Sequence, residues 1–134
     1  MIFLDTNVII DLLEVDAIWQ PWSAAQLKSA RDAAVNTITL AETAGKFTDL
    51  SAARAGFQRL DIVVLPLTDD AAFRAGQVFL RYRKAGGKRD KILADFLIGA
   101  HAVSLSVPLV TRDPKRYRTY FPELTLITPE DDHD

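Results

Sequence analysis

The sequence predicts a three-layer α/β/α domain built on a mostly parallel sheet. Short apolar runs of strand length alternate with longer amphipathic stretches of helical period, an order that places helices on both faces of a parallel sheet. A chain of 134 residues suits one domain with a single core. With 49% hydrophobic and 25% charged residues, it can bury enough apolar surface to offset the entropy of ordering the backbone.

Residues 2–4, Ile-Phe-Leu, form the first apolar run, which stops at Asp5-Thr6-Asn7. Val8, Ile9, Leu12 and Leu13 then recur at helical spacing, so the chain begins as strand followed by helix. Pro21 suits the first turn of a second helix through Ala24, Leu27 and Ala30, which ends before a short strand from Ala34 to Asn36. Thr39-Leu40-Ala41-Glu42 has the spacing of a capping box and predicts a helix starting there, and another follows Ser51. Residues 62–67, Ile-Val-Val-Leu-Pro-Leu, read as a buried strand. Thr68-Asp69-Asp70 caps a long amphipathic helix to Lys84, which Gly86-Gly87 ends. A helix from about Asp90 to Ser106, a strand from Val107 to Thr111, a helical piece from Pro114 to Tyr120 and a strand from Leu124 to Ile127 complete the series. No repeat, low-complexity stretch or linker interrupts it, so residues 1–134 read as one domain with an acidic tail from about residue 129.

Cysteine is absent, which excludes disulfide frameworks and thiolate metal sites and leaves oxygen ligands or the two histidines to hold any metal. The N-terminal MIFLDTNVIIDLLE lacks the positive leader of a signal peptide, and Asp5 and Asp11 interrupt its apolar run. No apolar stretch approaches the roughly 20 residues of a transmembrane helix. The expected setting is therefore the cytoplasm, with no membrane partner. The formal net charge of −2 gives by itself no hint of nucleic acid.

In an open parallel sheet, functional groups gather beyond the carboxyl ends of the strands. Asp5 ends the first strand, Glu42 lies in the first turn of the helix after the second, Asp95 is in the helix before the fourth, and Asp113 follows that strand. Three of these acids have a plainer explanation when taken alone: Asp5 as a helix cap, Glu42 as the return partner of Thr39, Asp113 as a turn acid before Pro114. Asp95 resists one. In ILADFLIGAHA and the Val103 that follows, the apolar side chains leave little of the helix surface polar, and an unpaired buried carboxylate is costly. It needs a basic side chain, amides near the helix start, or a cation, since the helix dipole contributes only about 0.3–1 kcal/mol. Converging carboxylates raise one another's pKa unless a divalent cation neutralises them. Oxygen-only ligands suit Mg²⁺ or Mn²⁺, and such an ion can activate water against a phosphodiester.

The segments LDTNVIIDLL, ITLAE, ADFLIGAHA and PLVTRDPKRYRTYFP follow one another over nearly the whole chain. Together they resemble the four signature regions of the PIN-domain ribonucleases, and in detail the VapC toxins of bacterial toxin–antitoxin pairs. Carried over position by position, Asp5, Glu42, Asp95 and Asp113 match the family's acidic site, Thr111 its accompanying hydroxyl, and Asn7 the polar residue after the first acid. The resemblance implies a PIN-like fold and a Mg²⁺- or Mn²⁺-dependent endoribonuclease. Such an enzyme cuts structured RNA, transfer or ribosomal, and slows translation when its VapB-like antitoxin is lost; a homodimer is implied as well. Asp5, Asp95 and Asp113 would be metal ligands, Glu42 would position or deprotonate the attacking water, and Thr111 would orient an acid or a water. Residues 14–35, with Trp19 and Trp22, match less recognisably.

Residues 81–91, RYRKAGGKRDK, carry six Lys or Arg against one Asp, and residues 112–118, RDPKRYR, four against one. Both segments flank proposed site acids, where phosphate contacts would supply affinity. Lys88, Arg89, Lys91, Arg112, Lys115 and Arg116 are accordingly the expected RNA-binding cations, against the plainer reading of a solvated helix end and loop. Tyr82, Tyr117 and Tyr120 are read as core or interface aromatics in preference to base-stacking ones. Trp19 and Trp22 fit a partner-binding patch or ordinary packing equally. His101 and His133 are read as structural or solvated.

Other classes fit less well. A DNA- or flap-directed nuclease of related chemistry would need extra helical regions for which the chain has no room. A haloacid-dehalogenase-type phosphatase needs an acid two residues after the first, where Asn7 stands. A non-catalytic PIN scaffold binding RNA or protein has no need of all four acids.

Overall fold

In the computed structural model, which describes residues 1–14 and 18–129, the first strand already shows how the sheet is covered. Along β1 (Ile2–Leu4), Phe3 joins a core cluster on one face while Ile2 and Leu4 join the cluster on the other, as the two-residue period of a strand requires. The same alternation sends Ala34 of β2 (Ala33–Asn36) to the first face and its neighbours Ala33 and Val35 to the second. β3 (Ile62–Leu65), β4 (Leu109–Val110) and β5 (Leu126–Ile127) complete a five-stranded sheet of order β3-β2-β1-β4-β5 in which each pairing is parallel. Both faces of the inner strands are buried, so those strands are almost wholly apolar, while the edge strand β3 leaves Val63 exposed.

The second face is covered by α1 (Thr6–Glu14), α2 (Gln20–Ser29) and α4 (Leu50–Arg59), through Val8, Ile9, Trp22, Leu27 and Phe57. The first is covered by α5 (Asp69–Lys84), α6 (Ile92–Leu105) and α7 (Lys115–Tyr120), through Ala75, Val78, Phe96, Ile98, Tyr117 and the adjoining Phe121. α3 (Thr37–Thr43) follows β2 directly and passes into a 3₁₀ turn at Ala44–Lys46. The three-layer architecture is the expected one. No helix among the described residues is long and apolar enough to cross a membrane. The expected acidic tail beyond residue 129, with His133, lies outside the described residues.

Several local expectations are corrected. Thr39 caps nothing: α3 begins earlier, its cap is Asn36, whose Oδ1 accepts from the Ile38 amide at 3.0 Å, and Thr39 and Glu42 are released for other contacts. α4 starts at Leu50, because Asp49 accepts from the Ala52 amide at 2.8 Å. α6 starts at Ile92 without a side-chain cap, since Asp90 instead forms an ion pair with Arg83. β1 has the expected bounds and β2 starts one residue earlier, at Ala33, while the last three strands are shorter than their apolar runs. β3 stops at Leu65 because Pro66 has no N–H for the ladder, and Pro108 likewise delays β4 to Leu109. α5 does end at the glycines: Gly86, at φ +94°, and Gly87 return their amides to Arg83 and Tyr82, closing the last turn.

Strands are added first on one side of β1 and then on the other. The winding therefore reverses between β1 and β4, where a crevice opens beyond the strand ends.

Candidate active site

The register of β1 against β4 pairs Leu4 with Val110, so the residues immediately beyond, Asp5 and Thr111, emerge side by side into this crevice. Asp5 is only 4% exposed and is wrapped in donors. Its Oδ1 accepts the Thr6 amide at 2.8 Å, while Oδ2 accepts the hydroxyls of Thr111 at 2.8 Å and Tyr117 at 3.0 Å, with the Asn7 side-chain amide at 3.5 Å. Burial nevertheless pushes its pKa up; the hydrogen bonds oppose the shift, and the Glu42 charge adds to it. Thr111 in turn accepts the Asp113 amide at 3.0 Å and is reached by Asn7 at 3.4 Å, so the hydroxyl orients an acid.

Glu42 is brought in by α3. With the cap made by Asn36, one Glu42 carboxylate oxygen accepts the Thr6 hydroxyl at 2.7 Å, and Thr6 also meets Thr39 at 2.9 Å. Asn36 also bridges to α6, where its Nδ2 reaches the Leu97 carbonyl at 3.3 Å and His101 Nδ1 at 3.1 Å. One buried amide thus fixes the helix carrying Glu42 against the helix carrying Asp95. His101 is thereby explained as a structural group, and burial lowers its pKa.

Asp95 projects from the first turn of α6 with its side chain 30% exposed, and its charge is met by Arg116, whose Nη1 lies 3.2 Å from Oδ2. The same guanidinium is 3.7 Å from Asp113. Even so the Asp95 carboxyl is raised to about 7, by burial first and then by the Asp5 charge, with Arg116 opposing. A cavity of about 220 Å³ is lined by Asp5, Thr6, Asn7, Glu42, Asp95, Asp113, Arg116 and Tyr117. All four acids singled out in the sequence therefore face one space, and His101 does not line it.

Among the described residues, no three acidic or histidine side chains are drawn into a ready-made metal cage. The donor set nonetheless fits a hard divalent cation: the groups are oxygen ligands, and two of them have pKa values raised by burial first and then by neighbouring carboxylates, Glu42 at Asp5 and Asp5 with Glu42 and Asp113 at Asp95, a state that a cation relieves.

The expected RNA-binding cations separate into two groups. Lys88, Arg89, Lys91 and Lys115 are exposed, at the α5–α6 connection and the start of α7. Arg116 turns into the acidic cavity, and Arg112 pairs with Asp11 at 2.7 and 2.9 Å. Three site residues went unread in the sequence. Thr6 and Tyr117 hold Glu42 and Asp5, and neither has a local signal, because the contacts span 36 and 112 residues. Asn36 had one, as an Asn at a strand end directly before a helical pattern.

The sequence matches the PIN domain family over residues 2–122. No curated protein sequence matches the chain. Similar folds occur in a toxin–antitoxin complex from Klebsiella pneumoniae (TM-score 0.71, 21% identity, covering 96% of this chain and 98% of that one). They also occur in VapBC-1 from nontypeable Haemophilus influenzae (0.70, 24%, 96% and 98%) and in FitAcB from Neisseria gonorrhoeae (0.66, 23%, 97% and 99%).

Proposed function

The chain belongs to the PIN-domain family, which its sequence matches over residues 2–122, and from that premise we propose that it is a Mg²⁺- or Mn²⁺-dependent endoribonuclease, the toxin of a toxin–antitoxin pair. The observation that carries the reading is the convergence of Asp5, Glu42, Asp95 and Asp113 on one cavity at the reversal point of the sheet. Like charges so placed, with two carboxyls held above their ordinary range, are costly to a protein that has no cation to bind.

In this reading Asp5, Asp95 and Asp113 would hold the metal, directly or through water. When bound, the ion supplies Lewis acidity at the scissile phosphate and water of lowered pKa. The chain's own residues do the rest. Thr6 holds Glu42 at the cavity wall, where its carboxylate can orient the attacking water and take its proton. Thr111, Tyr117 and the Thr6 amide fix Asp5, with Asn7 beside them. Arg116, already in the cavity, is placed to meet a phosphate oxygen as it releases Asp95 and Asp113. Lys88, Arg89, Lys91 and Lys115 offer exposed charge to the flanking backbone of the substrate.

We take residues 1–134 as one nuclease domain and structured RNA, transfer or ribosomal, as the substrate whose cleavage inhibits translation in the cytoplasm. The similar structures described as toxin–antitoxin and VapBC complexes support a VapB-like antitoxin as partner, and a homodimer completes the proposal. The test is incubation of the antitoxin-free protein with total RNA and with DNA, in Mg²⁺, Mn²⁺ or EDTA, beside Asp5→Asn and Asp95→Asn. Metal-dependent cutting of RNA that both variants lose by at least about a hundredfold is expected. Cleavage that survives EDTA, or that the variants retain, would sink the metal-site mechanism. Binding of RNA without cutting would favour a scaffold.

A further inference from the structure

One buried acid plays no part in the chemistry above. Asp11, on α1, is 2% exposed, and its charge is met by Arg112, whose Nε and Nη2 lie 2.7 and 2.9 Å from its two oxygens. This is the two-pronged geometry that a guanidinium makes and an ammonium cannot. Ser23 of α2 donates to the same carboxylate at 3.1 Å, and the Arg112 guanidinium lies 4.9 Å from the centre of the Trp19 ring. The Arg112 backbone is fixed too, since its amide donates to Asn7 Oδ1 at 3.3 Å. Thr111 and Asp113, the immediate neighbours of Arg112, are the hydroxyl that orients Asp5 and one of the converging acids.

We infer that Arg112 is a positioning residue, not an RNA contact: by gripping Asp11 it fastens the Thr111–Asp113 segment to α1 and α2 and so sets two groups of the acidic cavity. The segment needs such a fastening. β4 is two residues long and ends at Val110, and the chain then turns outward into α7, so ladder hydrogen bonds alone do not specify where Asp113 points. A carboxylate buried as Asp11 is keeps its arginine, because separating the pair would leave an uncompensated charge inside the protein. The same contacts place Trp19 and the buried Ser23 of the α2 region one side chain away from the site.

The functional consequence rests on the metal-nuclease reading, so the test separates the two. Mn²⁺ binding is followed through the electron paramagnetic resonance of the free ion, and binding of a hairpin RNA in EDTA is followed across a salt series, for the full chain, Arg112→Gln and Asp11→Asn. A fastening predicts that both variants behave alike: the Mn²⁺ dissociation constant rises roughly 10–100-fold, as when outer supports of a metal site are removed. RNA affinity and its salt slope stay as in the wild type. An RNA-contact role predicts that they differ: Arg112→Gln lowers the salt slope by about one while Asp11→Asn does not. That pattern, or unchanged Mn²⁺ affinity in both variants, overturns the inference. Failure of the wild type to bind Mn²⁺ would instead count against the nuclease reading. Should those variants fail to fold, Arg112→Lys decides the matter, since it keeps the charge and loses the two-pronged grip: weaker Mn²⁺ binding with an unchanged RNA salt slope is expected of a fastening, and wild-type Mn²⁺ affinity overturns it.

Discussion

A carboxylate offers about four acceptor positions, and at Asp5 three are filled by donors within 3.0 Å, the Thr6 amide and the hydroxyls of Thr111 and Tyr117. The acid is thus oriented before any further ligand arrives. Replacing Tyr117 by Phe keeps the ring in the core and deletes one donor to a carboxylate that is only 4% exposed. The expected loss of stability is about 1–3 kcal/mol, read from urea unfolding at pH 7. A change within experimental error would mean that this hydroxyl does not bond Asp5. The spacing of Tyr117 reads as core in the sequence, and core it is, at 2% exposure. Its site contact was illegible because the hydroxyl reaches an acid 112 residues away. Of the acids only Asp95 stands out locally, as a carboxylate in an apolar helix; Asp5, Glu42 and Asp113 were legible through their expected places near the strand ends and through the ordered family resemblance.

Helices rather than strands carry much of the site, and their packing is set at a few close approaches. A Cβ added at Gly99, one turn past Asp95 on α6, would sit 3.0 Å from a Tyr117 ring carbon and 3.1 Å from Phe121. Gly99→Ala is therefore expected to push α7 away from α6 at a cost of about 1–3 kcal/mol, loosening the Tyr117 contact with Asp5 as it does so. Gly76→Ala on the open side of α5, where nothing lies within 4 Å of the added carbon, should instead stabilise by about 0.5–1 kcal/mol. Thermal or denaturant unfolding of the two variants checks both signs, and equal effects would show that α6 and α7 do not approach as described. At this scale the sequence conveys element type and order well, because hydrophobic period and turn residues are local. It misplaced the start of α3, since Thr39 and Glu42 satisfy the spacing of a capping box while Asn36 makes the cap. Strand order was out of reach, being fixed by pairings between runs far apart in the chain.

Across the whole molecule the converging acids set charge repulsion against stability. Asp95 has an ordinary value of 3.8 and is held at about 7 in the folded protein, by burial first and by the Asp5 charge second. Between those values the folded chain keeps a proton that the unfolded chain has released, so stability falls as pH rises from about 4 towards 7 and levels off above the folded value. Asp5, also raised, acts in the same direction. Asp95→Asn removes this contribution, since an amide has no proton to lose in that range. In chelator, the variant should accordingly be more stable than the wild type at pH 7–8, and the difference should shrink as pH falls towards 4. Adding Mg²⁺ or Mn²⁺ should close the gap from the other side: the ion binds the folded wild type in competition with the proton and raises its stability through mass action, most strongly at the higher pH. Melting temperatures of the two proteins between pH 4 and 8, with and without metal, decide the matter. A wild type that gains on Asp95→Asn as pH rises in chelator, or a metal response equal in both proteins, would show that these carboxylates do not oppose one another in the fold.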